Sequence, residues 1–161
     1  MKAIDETVTL TAEEERVLHD YLFSVEIWGH YELLFFSSCS PLLSVQLFTK
    51  YTREMLGKSD FLQGVGKNRN MMHTLLLNAF MACIEIDDFT NALYFKKQIE
   101  KNFFEENETY FRIVYLWAEG LLDSKQGRVE EGQRKMEDAI RIFEMIGCSR
   151  SADYYRSAME C

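Results

Sequence analysis

Two stretches of this chain carry the same pattern about 40 residues apart, and that recurrence limits the fold more than any other feature. In the first, Met72, Leu75, Leu76, Ala79, Phe80 and Cys83 fall at steps of three, four and seven, which predicts a helix from about Asn70 to Ile86 with this face as core. A break at Asp87-Asp88 precedes a partner helix with Ala92, Leu93, Lys96, Ile99 and Phe103. In the second, Asn107 caps a helix bearing Phe111, Val114, Tyr115, Ala118, Leu121 and Leu122. Gly127 makes the turn, and Gly132, Met136, Ala139, Ile140 and Phe143 begin the partner. Ala92 aligns with Gly132, Ile99 with Ala139 and Phe103 with Phe143, so small residues recur where two helices approach closely. Helix pairs at this period bury their apolar faces by stacking on their neighbours. The expected fold is therefore all-α, an α-solenoid of tetratricopeptide-like helix-turn-helix repeats.

The remaining segments fit such an array. After a tail over residues 1–10, Thr11 with Glu14 three residues on is a capping box, and Val17, Leu18, Tyr21 and Leu22 give the first helix one buried stripe. The segment VEIWGHYELLFFSS reads as a second helix ending near Ser40-Pro41, apolar enough to be covered on more than one side. A third is expected from Ser44 to Leu56, stopped by Gly57. KSDFLQGVGKNRN is the longest expected loop, with a small positive patch around Lys50, Arg53, Lys58, Lys67 and Arg69 that reads as a solvated connection. A last helix from about Ser149 to Met159 buries Tyr154, Tyr155, Ala158 and Met159. Residues 11–161 are thus expected to form one helical-repeat domain.

Composition excludes several functions. With 47% hydrophobic residues, one proline and 8 glycines in 161, the chain is globular and long enough to hold a core without staples. Its net charge of −8 is the wrong sign for collecting phosphates, so this chain alone is not expected to bind nucleic acid. No uncharged apolar run reaches the length of a membrane span, and the N-terminus lacks a secretory signal. Cys39, Cys83, Cys148 and Cys161 form no CxxC pair, which points to a reducing cytoplasm.

No catalytic set is visible either. His19, His30 and His73 are scattered, and the Ser37-Ser38-Cys39-Ser40 run lies at a helix C-terminus, where the dipole disfavours a thiolate. Asp87-Asp88 and Glu105, Glu106 and Glu108 lack calcium-loop spacing, and Gly64-Val65-Gly66-Lys67 lacks a phosphate-loop context. The chain is expected to be no enzyme and to need no metal or cofactor. What stands out is the far face of the Asn70–Ile86 helix. It carries Met71, Thr74, Asn78, Met81, Ala82 and Glu85 instead of a row of Lys and Glu. A groove-facing Asn78 amide can bond a peptide C=O and N–H together, with methionines adapting to apolar side chains. Alternatively, Asn78 is tied to its own helix or to adjacent backbone.

The stretch from Thr11 onward resembles the C-terminal region of Rgg/GadR/MutR-type transcriptional regulators. Trp28-Gly29, Tyr31-Glu32-Leu33, Phe36, Leu75, Leu77-Asn78, the W-A-E-G-L run at Trp117 and the F-E-M-I-G run at Phe143 carry the resemblance. It implies a helical-repeat domain that dimerises and senses a short hydrophobic signalling peptide on its concave face. DNA would be bound through an N-terminal helix-turn-helix that nothing before Thr11 could form, leaving an excised domain or a stand-alone relative. Asn78 matches by context the asparagine that clamps ligand backbone in such sensors. Met71, Thr74, Tyr31, Phe35, Tyr110 and Trp117 are the accompanying candidates. The aromatic last helix and the exposed ends of repeat arrays also predict a homodimer. The competing reading is a stand-alone helical-repeat adaptor for another protein.

Overall fold

The computed structural model describes residues 10–58 and 66–159, and among them every regular element is helical. The helices are α1 (Ala12–Ser24), α2 (His30–Cys39), α3 (Val45–Lys58), α4 (Gly66–Glu85), α5 (Phe89–Lys101), α6 (Thr109–Lys125), α7 (Val129–Met145) and α8 (Ser149–Met159). A single 3₁₀ turn, Ser40–Leu42, follows α2 with Pro41 inside it. The expected all-α repeat fold is present. The chain divides into two compact units, residues 1–79 and 80–161. Most of the expected 1–10 tail lies outside the described residues.

In the first unit, α1 begins as the sequence dictates. The Glu14 amide donates to Thr11 Oγ1, and the Glu14 carboxylate accepts from the Thr11 N–H at 2.9 Å. Val25–Gly29, expected to be helical, is instead a connection. The helix starts at His30 because Glu32 turns back to accept from the Gly29 N–H at 3.0 Å, which caps the N-terminus there. The connection is held down by buried Val25 and Trp28, and by Lys58 Nζ donating to the Val25 carbonyl at 2.7 Å. Phe36 is fully buried among Trp28, Phe48 and Tyr51, with ring centroids 5.3, 5.6 and 6.3 Å away. Burial, with Glu54 and Asp20 nearby, pushes the Tyr51 phenol up to about 12. The phenol donates to the His19 carbonyl at 3.2 Å.

Three further sequence boundaries differ. Gly57 does not stop α3, which runs to Lys58. A Cβ there would meet nothing, so the site is open and the lost helix propensity, about 1 kcal/mol, is tolerated. The expected loop 58–70 is shorter than its glycines imply, since α4 already begins at Gly66 and residues 59–65 lie outside the described set. Lys50, Arg53, Lys58 and Arg69 therefore sit on helices. Similarly, α6 starts at Thr109 with Glu108 as its cap residue, not Asn107. The Glu108 carboxylate accepts from the Glu105 N–H at 2.7 Å, which closes the turn one residue later.

In the second unit one turn is used three times. The amides of Asp88, Arg128 and Cys148 donate to the carbonyls of Cys83, Asp123 and Phe143 at 2.8, 2.9 and 2.8 Å, the six-to-one bond of a Schellman motif. Each motif needs one residue at positive φ. Gly127 and Gly147 supply it without strain, whereas Asp87 holds φ 59° and is pinned by Lys125 Nζ at 3.1 Å. Four residues after each turn's last residue comes a small buried one, Ala92, Gly132 and Ala152. The 40-residue correspondence holds for Ala92 with Gly132 and for Ile99 with Ala139. It fails at Phe103: α5 ends at Lys101, so Phe103 is exposed under the Arg112 guanidinium while Phe143 is core.

The α6–α7 contact is backbone on backbone. A Cβ on Gly120 would lie 2.6 Å from the Gly132 carbonyl and 2.8 Å from Met136 Cγ. Beside it, buried Asp123 receives Lys135 Nζ at 2.7 Å and the Arg128 guanidinium, tying the end of α6 to the turn and to α7. Burial pushes this carboxyl up, but the hydrogen bonds from Lys135 and Arg128 outweigh it and hold it below the ordinary carboxylate range. Stability from a depressed carboxyl is present above the unfolded value, near 4, and is lost as pH falls through the folded value. Asp123→Asn should therefore remove about 2 kcal/mol at neutral pH and flatten the acid limb of stability below roughly pH 4. Urea melts at stepped pH check this, with an unchanged acid limb as the contrary result.

Candidate functional site

The site is built first on α4. Its buried residues include Met72, Leu75, Leu76 and Ala79 on the stripe that the step pattern requires, and His73 and Leu77 beside that stripe. On the other side Thr74 is exposed, and Met71 and Asn78 are half-buried. The Thr74 hydroxyl donates to the Asn70 carbonyl at 2.9 Å, so its bonding is used within the helix. The Asn78 amide has no hydrogen-bond partner among the described residues. Within those residues it is not tied to its own helix or to adjacent backbone, and a donor and an acceptor stand together on a partly open apolar face.

Next to it in the first unit is α2. His30 Nδ1 and Asn68 Oδ1 lie 2.9 Å apart, which joins the first turns of α2 and α4. Tyr31 follows His30 and Met71 is one turn on from Asn68, so these two candidates flank the same contact. Tyr31 is 79% exposed, and Phe35 lies one turn further along on the same face. Phe35 meets Tyr21 of α1 edge-on at 4.8 Å. Tyr21 and Leu34 are exposed on this surface and were not among the sequence candidates. Tyr21, like Val17, is expected from the sequence in the buried stripe of α1, but only Leu18 and Leu22 of that stripe are buried. For Leu34 the signal was the apolar composition of α2 on all sides. One side packs through Leu33 and Phe36, and the expectation that the other is also covered does not hold within the described chain.

The two candidates on α6 are placed otherwise. Trp117 is only 3% exposed and packs on Tyr155 at 5.2 Å, so it is a core residue of the second unit with no surface for a ligand. Its spacing from Tyr110 does put both on one side of α6, but that side faces α7 and α8. Tyr110 is half exposed and its ring meets Phe143 at 5.6 Å. Tyr154, expected to be buried on α8, is exposed, and Tyr155 takes the buried position against Phe143. Ala158 is exposed as well.

Nothing reactive is assembled around these residues. Burial pushes the Cys39 thiol up, away from a thiolate. His73 is buried in the core, and His19 stacks on Phe23. No three His, Cys, Asp or Glu among the described residues are placed to hold a metal ion, and no described helix is long and apolar enough to cross a membrane. A groove between α7 and α8 is lined by Glu137, Ile140, Arg141, Glu144, Arg156 and Met159 among others. Its charges are answered internally, Arg156 by Glu144 and Asp153 and Arg141 by Asp138, and it holds none of the seven sequence candidates.

Comparison with known proteins bears on the fold and the family. Two crystal structures of the SHP pheromone receptor Rgg2 from Streptococcus dysgalactiae, one of them a cysteine-to-serine variant, match at 29% identity with a TM-score of 0.86. They cover 93% of this chain, which spans 55% and 57% of theirs. A protein from Listeria monocytogenes EGD-e classed as a transcriptional regulator shares the fold at 21% identity and a TM-score of 0.81, over 94% of this chain and 52% of its own. The family model for the C-terminal domain of the HTH-type transcriptional regulator Rgg matches residues 1–157, so this chain belongs to the Rgg C-terminal domain family.

Proposed function

We propose that this chain is the sensing and dimerisation domain of a cytoplasmic transcriptional regulator, and that it takes a short hydrophobic signalling peptide on the uncovered faces of α2 and α4. The observation that carries the reading is the Asn78 amide, half-buried on an apolar face and without a partner among the described residues. A peptide laid along α4 satisfies that amide through one backbone C=O and one N–H. Met71, Thr74, Tyr31 and Phe35 then supply apolar contact without reading a rigid side-chain pattern. The Streptococcus relatives being pheromone receptors supports a peptide as the ligand class. Regulation of DNA binding would pass to a separate part of the regulator, since the charge of this chain repels phosphate.

Asn78→Ala should weaken binding of short apolar peptides by about 1–3 kcal/mol, because the ligand's buried amides lose a partner that water cannot replace. Folding should change little, since the core of α4 is on its other face. Leu76→Ala should do the reverse and lower stability by about 2–5 kcal/mol through the cavity it leaves. Calorimetry and denaturant melts on both variants separate the outcomes. If Asn78→Ala unfolds the chain while binding persists, the amide is a structural tie and the reading fails.

Dimerisation is proposed from the second unit's apolar surface, where Met145, Ile146 and Tyr154 are more than half exposed. Light scattering at micromolar concentration should return twice the 19.0 kDa chain mass; a monomer at every salt concentration removes this part of the proposal.

A further inference from the structure

Among the described residues, the first unit carries an uncovered apolar ridge that shares only Phe35 with the proposed peptide wall. Val17 and Tyr21, one turn apart on α1, and Leu34 and Phe35 on α2 each leave 40% or more of their surface exposed. The 4.8 Å contact between Tyr21 and Phe35 joins the two helices' residues into one face. Phe35 belongs also to the proposed peptide wall, whereas Val17, Tyr21 and Leu34 belong to this face alone. Isolated exposed apolar residues are ordinary, but a face joined across two helices marks an interaction surface.

The border of this face is acidic. Glu13 and Asp20 lie within one turn of Val17 on α1, and residues 10–32 hold Glu13, Glu14, Glu15, Asp20, Glu26 and Glu32 against Arg16 alone. A second copy of the chain would set these acids against their own equivalents in a two-fold interface, and an anionic bilayer would repel them. Two neighbouring helices joined along one apolar face, with Val17 and Tyr21 one turn apart on α1 and Leu34 beside Phe35 on α2, offer a seat for a third helix. We infer that the α1–α2 face docks a cationic amphipathic helix of a partner protein. Its apolar stripe meets Val17, Tyr21, Leu34 and Phe35, and its Lys or Arg flanks meet Glu13 and Asp20.

The test uses a labelled helical peptide of leucine and lysine and its leucine–glutamate counterpart, with fluorescence anisotropy on the full chain. The leucine–lysine helix should bind about tenfold or more tightly than the acidic one, and weaken as salt rises. Val17→Asn/Leu34→Asn, both surface changes whose folding circular dichroism verifies, should lose about tenfold in affinity, and Glu13→Gln/Asp20→Asn should lose the salt dependence. Asn78→Ala should leave this binding unchanged, so failure here is separable from failure of the peptide reading. Equal binding of the leucine–lysine helix to the Val17→Asn/Leu34→Asn protein overturns the inference, since the attraction is then general acidity. Self-association abolished by that same double change also overturns it and assigns the face to a second copy.

Discussion

Phe36→Ala is expected to lower the stability of the first unit by about 4 kcal/mol. Phe36 is fully buried, and three aromatic rings close on it, Phe48 and Tyr51 from α3 and Trp28 from the Val25–Gly29 connection. Removing the ring leaves a cavity whose walls are Trp28, Phe48 and Tyr51. Tyr51 cannot move in to fill it without breaking its bond to the His19 carbonyl. The two tryptophans make the measurement local, since Trp28 is in the first unit and Trp117 in the second. A urea melt of Phe36→Ala in a Trp117→Phe background should show the loss through Trp28 fluorescence. A change below about 1 kcal/mol would mean that the aromatic cluster collapses freely and is not the centre of that core.

Gly132→Ala is the second large effect, and its sign sets two terms against each other. Replacing glycine inside a helix ordinarily gains about 1 kcal/mol. At Gly132 the new Cβ would meet the Gly120 carbonyl and the Ser124 amide and hydroxyl, and backbone atoms cannot give way as a side-chain tip can. Overpacking of that kind costs about 3 kcal/mol, so α7 must lift from α6 and the net loss should be about 2 kcal/mol. Gly57→Ala, where a Cβ meets nothing, is the control and should be neutral to stabilising. If both substitutions stabilise, the close approach of α6 and α7 is not as described.

The same residues show why some of the fold was legible in the sequence and some was not. The α4 stripe, the turns at Asp87 and Gly127 and the small residues at 92 and 132 could be read directly, because spacing and backbone freedom are local properties. Ala152 extends that series, and its turn at Gly147 comes only 20 residues after Gly127, so a search at period 40 passes over it. Boundaries were less legible where a side chain overrides propensity. Glu32 caps α2 five residues later than the apolar pattern begins, and Glu108 displaces Asn107. Phe103 and Phe143 occupy equivalent positions in the sequence repeat, but α5 is four residues shorter than α7 and the two rings have opposite fates.

The site follows the same division. Met71, Thr74 and Asn78 could be assigned to the open face of α4 because one helix's register decides it. Trp117 could not, because which side of α6 faces α7 and α8 is a tertiary fact, set by the Gly120–Gly132 approach. Tyr21 and Leu34 were missed for the complementary reason. Their period is that of core residues, and only the structure shows that nothing described covers them.

The central claim is that the Asn78 amide clamps the backbone of a bound peptide, and its side-chain NH₂ resonances report on this directly. In a titration of nitrogen-15-labelled chain with a short apolar peptide, those resonances should shift and gain protection from solvent exchange in step with the calorimetric binding curve. Saturable peptide binding that leaves the Asn78 NH₂ resonances unmoved and fully exchanging would contradict the account.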